Sequence, residues 1–353
     1  MNPVPLSIEP LDVGDPDWAE LTRVGEGRTA FHSPELVALS AKAFDHQVIG
    51  WKAVQRGELV GGLVVAESGK GRVDPSAFTV CNGPIVRPPS CGRQSSRDRH
   101  SSRVISSLLQ QVGNEGGALL RLHPATGDIR QALASGWIAR PSFTYEMDLR
   151  HMDTAWSSMD GDRRRLVRRA ETMGYWVESI APSDHDRREL IDRLVELNVA
   201  QKSKYDNVHH PDLRVWKLMV EGLLRSGTGR LFVARAMDGS LVAFQFATVW
   251  NDRAANLLTG SSPLHADHGV NSLLRWQAAS MMNAEGVQCI DLNGARDGAA
   301  GRFKASLGAT LTTRWEMYRP DRRPSALARR ALSRARQELA GLRASRSRLR
   351  AAS

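Results

Sequence analysis

Two strand–turn–strand patterns, 182 positions apart at their glycines, constrain the fold more than any other feature of the chain. The first occupies residues 51–65 and turns at Gly57, and the second occupies residues 231–250 and turns at Gly239. Each has a run typical of β-strands on both sides of a glycine turn, which is the pattern of a β-hairpin. Two such hairpins in one chain predict two related folding units.

The elements after each hairpin also recur in the same order. In the first half, a helix begins near Ser107 and ends near Gly116, and residues 118–122 follow as a strand. In the second half, a helix begins at Ser272 and ends near Gly286, before a strand at residues 287–292. Glycine at a helix end supplies the left-handed cap residue. Repetition of element order at similar spacing indicates an internal duplication.

Further elements connect and complete the two halves. Residues 141–149 are predicted to be the strand that opens the second unit, followed by a basic helix at residues 161–170. Residues 184–201 show the apolar spacing of an amphipathic helix. Residues 87–103 are rich in Pro, Ser, Gly and Arg, which predicts a mobile loop.

The basic character of the chain is concentrated at its C-terminal end. The formal net charge is +10, but residues 321–353 alone carry ten arginines against Asp321 and Glu338. The remaining residues are therefore nearly neutral. A basic amphipathic helix in this tail suits contact with RNA or with an anionic membrane surface, although a solvated, solubilising helix is an equal alternative.

Several classes of protein are disfavoured by the sequence. No apolar run reaches the ~20 residues needed to span a bilayer, and the first residues lack the features of a signal peptide. The three cysteines, Cys81, Cys91 and Cys289, have neither disulfide-framework nor zinc-site spacing. We therefore expect a cytoplasmic protein, with a peripheral position at the inner face of the membrane as a further possibility, and no metal.

Two segments of the second half carry recognisable motifs. One is the basic helix ending in Arg168-Arg169-Ala170 and followed by Met173-Gly174. The other runs from Asp291-Leu292-Asn293-Gly294 to Gly301-Arg302-Phe303-Lys304 and Leu307-Gly308. Together they resemble the FemABX family of acyltransferases, which are built from GNAT-like units. The chain departs from the family pattern at Asn293, where glycine is common, and at Leu307, where an aromatic residue is usual.

The resemblance implies the fold class and the domains. The fold expected is α+β, with tandem GNAT-like units, mixed sheets and a basic C-terminal helix. Residues 1–140 would form a degenerate N-terminal unit, residues 141–320 the C-terminal unit, and residues 321–353 the helical tail. In a GNAT-like unit two parallel strands splay apart, and the backbone of one stabilises the oxyanion, so no catalytic triad is needed.

The resemblance also implies an activity and its partners. The chain would transfer an acyl or aminoacyl group to an amine on a phosphate-bearing cell-envelope precursor or a peptide-like metabolite. No tightly bound cofactor is expected, and the donor substrate would be aminoacyl-tRNA or acyl-CoA. Only Gly269 remains of a GNAT pyrophosphate loop before the second helix, which mildly favours the tRNA donor. A CoA-dependent N-acetyltransferase and a non-catalytic glycan- or nucleic-acid-binding module are the alternatives.

Candidate catalytic residues follow from the same resemblance. Lys304 would stabilise developing negative charge or hold an anionic group of the donor, with a surface lysine paired to Asp291 or Asp297 as the alternative. Tyr205 and Asp206 would lie where the family contacts substrate, although polar loop residues are the more ordinary interpretation.

Candidate substrate-binding residues form a second set. An arginine cluster on the basic helix could bind phosphate through bidentate contacts, or could be a solvated face paired with neighbouring acids. Residues of the glycine-rich segments complete the set. The predicted substrate-binding residues are Arg163, Arg164, Arg165, Arg168, Phe303, Asn293 and Gly269.

Overall fold

The computed structural model describes residues 5–68, 71–76, 78–89, 93–113, 116–126, 128–180, 187–202, 212–295 and 298–321. Tyr205 and Asp206 lie outside these ranges, as does the predicted tail helix beyond Asp321. Within the described part, no helix is both long and apolar enough to cross a membrane.

One mixed sheet runs through the described structure. The strands of the first half are β1 (Ser7–Pro10), β2 (His46–Gln55), β3 (Glu58–Ser68), β4 (Arg72–Val73), β5 (Ile85–Val86), β6 (Ala118–Arg121) and β7 (Ile138–Asp148). Those of the second half are β8 (Trp176–Ile180), β9 (Gly229–Arg235), β10 (Leu241–Trp250), β11 (Arg253–Ser261), β12 (Cys289–Asp291) and β13 (Thr310–Arg319). The order across the sheet is β1-β2-β3-β4-β6-β13-β7-β12-β11-β10-β9-β8, with β5 paired to β3.

Helices cover both faces of this sheet. The first half contributes α1 (Pro16–Val24), α2 (Pro34–Phe44), α3 (Gln94–Leu109) and α4 (Arg130–Ala134). The second contributes α5 (Met152–Ser158), α6 (Gly161–Thr172), α7 (Arg187–Lys202), α8 (Leu213–Arg225), α9 (Val270–Ala284) and α10 (Ala299–Ser306). A short 3₁₀ turn spans Pro263–His268 ahead of α9.

The two halves exchange their last strands at the centre of the sheet. Strand β7 follows α4 in the first half but pairs with β12 of the second, and β13 ends the second half but pairs with β6 of the first. The two exchanged strands also pair with each other, antiparallel, from Thr310↔Glu146 to Tyr318↔Ile138. Each half therefore completes the sheet of the other, so the separate mixed sheets expected for two units are joined into one.

The predicted hairpins are confirmed. Strands β2 and β3 turn at Arg56 and Gly57, both with positive φ, and β9 and β10 turn around Gly239. Helix α6 and strand β6 also lie where the sequence predicts them. The boundary predicted between residues 140 and 141 falls inside β7, because that strand belongs to the central exchange.

The prediction of a loop over residues 87–103 is wrong for its second part. Residues 94–103 form the first two-thirds of α3, which ends at Leu109 and not near residue 115. The polar residues that suggest a loop lie on the exposed side of the first turns, whereas Val104, Ile105, Leu108 and Leu109 are buried further along. Packing of that apolar segment against the sheet stabilises the whole helix despite its polar start.

Candidate active site between two splayed strands

A cleft opens where parallel strands β11 and β12 separate. Helix α9 connects them, and they pair only from Arg253↔Cys289 to Ala255↔Asp291. Strand β12 ends at Asp291, whereas β11 continues to Ser261. The register between β10 and β11 shifts after Phe246, so that Leu257 forms a bulge in β11 just beyond the point of separation. Bulges re-aim the backbone and are common beside active sites.

Helix α7 lies along the part of β11 that β12 leaves uncovered. The side-chain amide of Asn198 donates to the carbonyl of Thr259 at 2.6 Å. A Cβ on Gly260 would lie 2.6 Å from backbone atoms of both Leu197 and Asn198, so only glycine allows this approach. The floor of the cleft is therefore set by direct backbone contact.

A cavity of about 380 Å³ occupies the cleft. Its walls come from α7, β10, β11, α9 and α10 of the second half together with the 3₁₀ turn before α9, and its position follows from the separation of β11 and β12. The lining residues are Gln201, Phe244, Thr259, Ser261, Ala266, Asn271, Leu274, Arg275, Ala299, Ala300, Phe303 and Lys304. A volume of this size fits a small organic molecule or an acyl group of amino-acid size.

Lys304 lies half-buried at one wall of the cavity. Its ammonium group donates to the carbonyl of Gly294 at 2.7 Å and to that of Asn293. Burial, followed by the positive charge of Arg275, lowers the pKa of Lys304 to about 8. These contacts differ from those of a surface lysine paired to Asp291, because the N–H groups of the Lys304 ammonium point to backbone carbonyls.

Asp291 fixes the turn that Lys304 contacts. The carboxylate accepts the backbone N–H of Asn293 at 2.7 Å and the hydroxyl of Thr144. Arg314 lies beside the same carboxylate, 3.8 Å from Asp291 Oδ2, and both side chains are almost fully buried. Asn293 has φ of +55°, which glycine and asparagine tolerate best and which explains the departure from the family pattern. The buried pair therefore holds the glycine-rich turn in place.

Arg275 is a second cation at the cavity. It lies on α9 one turn after Asn271, which itself donates to Ser261 at 3.2 Å. No hydrogen bond or ion pair to its guanidinium is formed by any residue in the described ranges, and its Nη1 is closed off from solvent. Burial lowers its pKa to about 10, so the group stays charged at neutral pH.

The predicted arginine cluster on α6 does not converge on one point. Arg163 donates to Ser306 at 2.8 Å and lies over the ring of Phe303, whose other side lines the cavity. Arg164 donates to backbone carbonyls at the end of α5, including that of Ser157 at 2.9 Å. Arg165 pairs with an acid of its own helix, and Arg168 lies over an indole ring. Of the four, Arg163 is the one that contacts a residue of the cavity wall.

Gly269 begins α9 with φ of +87°. A Cβ at this position would collide with the backbone carbonyl of Leu166 on α6, so close helix packing accounts for the glycine. The structure thus explains this residue by packing, and its predicted role in substrate binding stays a prediction. The same is true of Tyr205 and Asp206, which lie outside the described ranges.

Sequence reasoning missed three of the residues described above. Arg275 is the one charged residue of the otherwise uncharged α9, and a lone charge in a helix with a buried face is the signal that could have identified it. Thr144 meets Asp291 because β7 pairs with β12, and Arg314 reaches the same carboxylate because β13 pairs with β7 on its other side. Within the described ranges, no group of three His, Cys, Asp or Glu residues is placed to hold a metal.

Comparison with known protein families identifies the second half. Residues 157–305 match the family model described as an acetyltransferase (GNAT) domain. None of the curated proteins matches the chain significantly in sequence.

Comparison with solved structures extends the fold to the whole chain. FemX matches with a TM-score of 0.68 at 12% identity, over 89% of this chain and 98% of that one. L-PGS from Bacillus licheniformis matches with a TM-score of 0.52 at 13% identity, over 91% and 96% of the two chains. A GNAT-family acetyltransferase from Colwellia psychrerythraea has a TM-score of 0.50 at 12% identity, over 89% and 99%. At these identities the likeness shows the fold alone, a GNAT-like fold that covers about nine-tenths of this chain.

Proposed function

We propose that this chain, whose residues 157–305 are a GNAT acyltransferase domain, transfers an acyl or aminoacyl group to an amine in the cleft between β11 and β12. The observation that carries the proposal is the cavity itself, which opens where the two parallel strands separate and has Lys304 in its wall. The backbone of β11 beyond the Leu257 bulge would receive the carbonyl oxygen of the acyl group. Oriented N–H donors at such a position stabilise the oxyanion of acyl transfer.

The chemistry needs little from side chains. The amine attacks the acyl carbonyl, a tetrahedral oxyanion forms, and the bond to the donor's leaving group breaks as the amine proton passes to that group. Lys304, charged below its pKa of about 8, would add a positive charge near the oxyanion. The Asp291–Arg314 pair would act as a positioning device, because it holds the turn whose carbonyls fix Lys304.

For the donor, we propose aminoacyl-tRNA ahead of acyl-CoA. Helix α6 packs directly against Gly269, the residue before α9, where the GNAT pattern would place its pyrophosphate loop. The basic tail at residues 321–353 offers a sequence-independent attraction to RNA phosphates. The match to an acetyltransferase model favours acyl-CoA as the second candidate.

Hydroxylamine can replace the unidentified amine acceptor in a direct test. The full chain is incubated with hydroxylamine and either a mixture of aminoacyl-tRNAs or a panel of acyl-CoAs, and hydroxamates are measured by mass spectrometry. Wild type and Lys217→Ala, a surface lysine variant, should form hydroxamate at equal rates, and Lys304→Ala should be slower by a factor of about 30 to 1,000. If the protein does not raise hydroxamate formation above the rate of the uncatalysed reaction with either donor class, acyl transfer is refuted.

Truncation of residues 321–353 separates the two donors. With aminoacyl-tRNA, the truncated chain should bind donor more weakly, and the decrease of affinity with salt should become less steep. With acyl-CoA, truncation should leave affinity unchanged, because local cleft contacts hold a small ligand. Loss of binding to anionic vesicles with unchanged donor affinity would instead assign the tail to a membrane surface near a lipid-linked acceptor.

A further inference from the structure

The guanidinium of Arg275 is held in the wall of the cavity without a counter-charge. Asn271, Leu274 and Arg275 lie on one face of α9, at the spacing that places side chains together, and all three line the cavity. In the parts of the chain that the structure describes, Arg275 has neither an ion pair nor a hydrogen bond, and its Nη1 is inaccessible to solvent. Other half-buried arginines of this domain differ, because Arg253 pairs with Glu146 and Arg235 with Glu178.

An unpaired and partly desolvated charge destabilises a folded protein, so its presence beside a cavity needs a reason. The positive charge of Arg275 contributes to lowering the pKa of the second cation, Lys304, which lines the same cavity. Two cations facing one small cavity create a positive potential that a ligand anion would neutralise.

The geometry favours a carboxylate over a larger anion. Lys304 already donates to the carbonyls of Asn293 and Gly294, which leaves Arg275 as the main donor to a ligand. One guanidinium offers a planar fork that matches the two oxygens of a carboxylate. A diphosphate carries more charge and more acceptors than this single fork can satisfy.

We propose that the cavity binds a small carboxylate-bearing molecule through Arg275. If the proposed acyl transfer holds, the carboxylate belongs to the group transferred or to the acceptor, so that the substrate is an acidic acyl group or an amino acid. The binding itself does not depend on the proposed reaction.

Glutarate is a suitable probe, with the neutral isostere glutaramide as its control. Thermal shift and calorimetric titration of the full chain, without any acyl donor, should show that glutarate binds and glutaramide does not. Arg275→Met should weaken glutarate binding at least tenfold. Arg230→Met, which removes a half-buried arginine that is paired with Glu285 and does not line the cavity, should leave glutarate binding unchanged.

Two further measurements make the outcome decisive. Arg275→Met should unfold at the same urea concentration as wild type or higher, because no native ion pair is lost, whereas a destabilised variant would show a structural role and overturn the inference. Arg275→Lys keeps the charge but not the planar fork, and should also bind glutarate at least tenfold more weakly, whereas binding as tight as that of wild type would refute a carboxylate held by the guanidinium.

Three further results would test the proposed carboxylate site. No glutarate binding to wild type, or equal binding to wild type and Arg275→Met, would refute the proposal. Tighter binding of inorganic phosphate than of glutarate, lost in Arg275→Met, would assign the site to a phosphate and refute the carboxylate. Glutarate binding in a chain that forms no hydroxamate would retain this inference while refuting the proposed function.

Discussion

Replacing Lys304 by methionine removes a charged group from a half-buried position and should change how stability depends on pH. The fold lowers the pKa of this ammonium from its ordinary value of 10.5 to about 8. Because a tenfold change in a dissociation constant is worth about 1.4 kcal/mol, the folded chain disfavours the charged form by about 3 kcal/mol. Methionine has a similar length and no charge, so the variant lacks this penalty.

The direction of this pH dependence follows from the number of protons that the folded and the unfolded states bind. Below about pH 8 the amine is protonated in both states, and the folded wild type carries the full penalty. Between about pH 8 and 10.5 the unfolded chain keeps the proton and the folded chain loses it, so the free energy of unfolding rises with pH. Relative to Lys304→Met, wild type should therefore gain about 2 kcal/mol between pH 7 and pH 9.5.

Urea unfolding of both proteins at pH 7, 8, 9 and 9.5, followed by tryptophan fluorescence, measures this difference. The hydrogen bonds from Lys304 to the Gly294 and Asn293 carbonyls also stabilise the folded wild type. Both protonation states of the amine retain these bonds in part, so they change the free energy of unfolding at every pH without removing its dependence on pH. Parallel pH profiles for wild type and Lys304→Met would refute the reasoning, since they would mean that the amine has the same pKa in both states.

Three other predictions concern the framework of the site. Gly260→Ala should cost about 1–3 kcal/mol in urea unfolding, because its Cβ would meet the backbone of α7, and Gly161→Ala, in open space, should be nearly neutral. Arg314→Met should lower the free energy of unfolding by about 3–5 kcal/mol in wild type and by less in an Asp291→Asn background. Equal losses of stability in the two backgrounds of this double-mutant cycle would contradict a buried ion pair. Burial lowers the pKa of His32 to about 4, so between pH 6.5 and 4 the unfolded chain binds a proton that the folded chain does not. The free energy of unfolding should therefore decrease by up to about 3 kcal/mol as the pH is lowered through this range. This pH dependence should flatten in His32→Gln, and an unchanged slope would exclude His32 as its source.

Local patterns in the sequence determined the repeated elements. The hairpin turns at Gly57 and Gly239 require positive φ, and both have it, since glycine is the residue that adopts this conformation without strain. Helix α6 and strand β6 form at the residues that the sequence predicts for them. Lys304 could be chosen in advance because it lies in a motif that resembles a known family, and the structure places it at the cavity.

Contacts between distant parts of the chain decided the rest. The sequence does not encode in any local pattern that β7 and β13 exchange between the halves, because strand order depends on which pairing buries the most apolar surface. That exchange brings Thr144 and Arg314 to Asp291. The unpaired state of Arg275 likewise follows only from the packing of α9 over the splayed strands, since the absence of a partner is a property of the folded surroundings and not of the residue. The sequence thus determined which elements form, and the tertiary structure decided which charges meet.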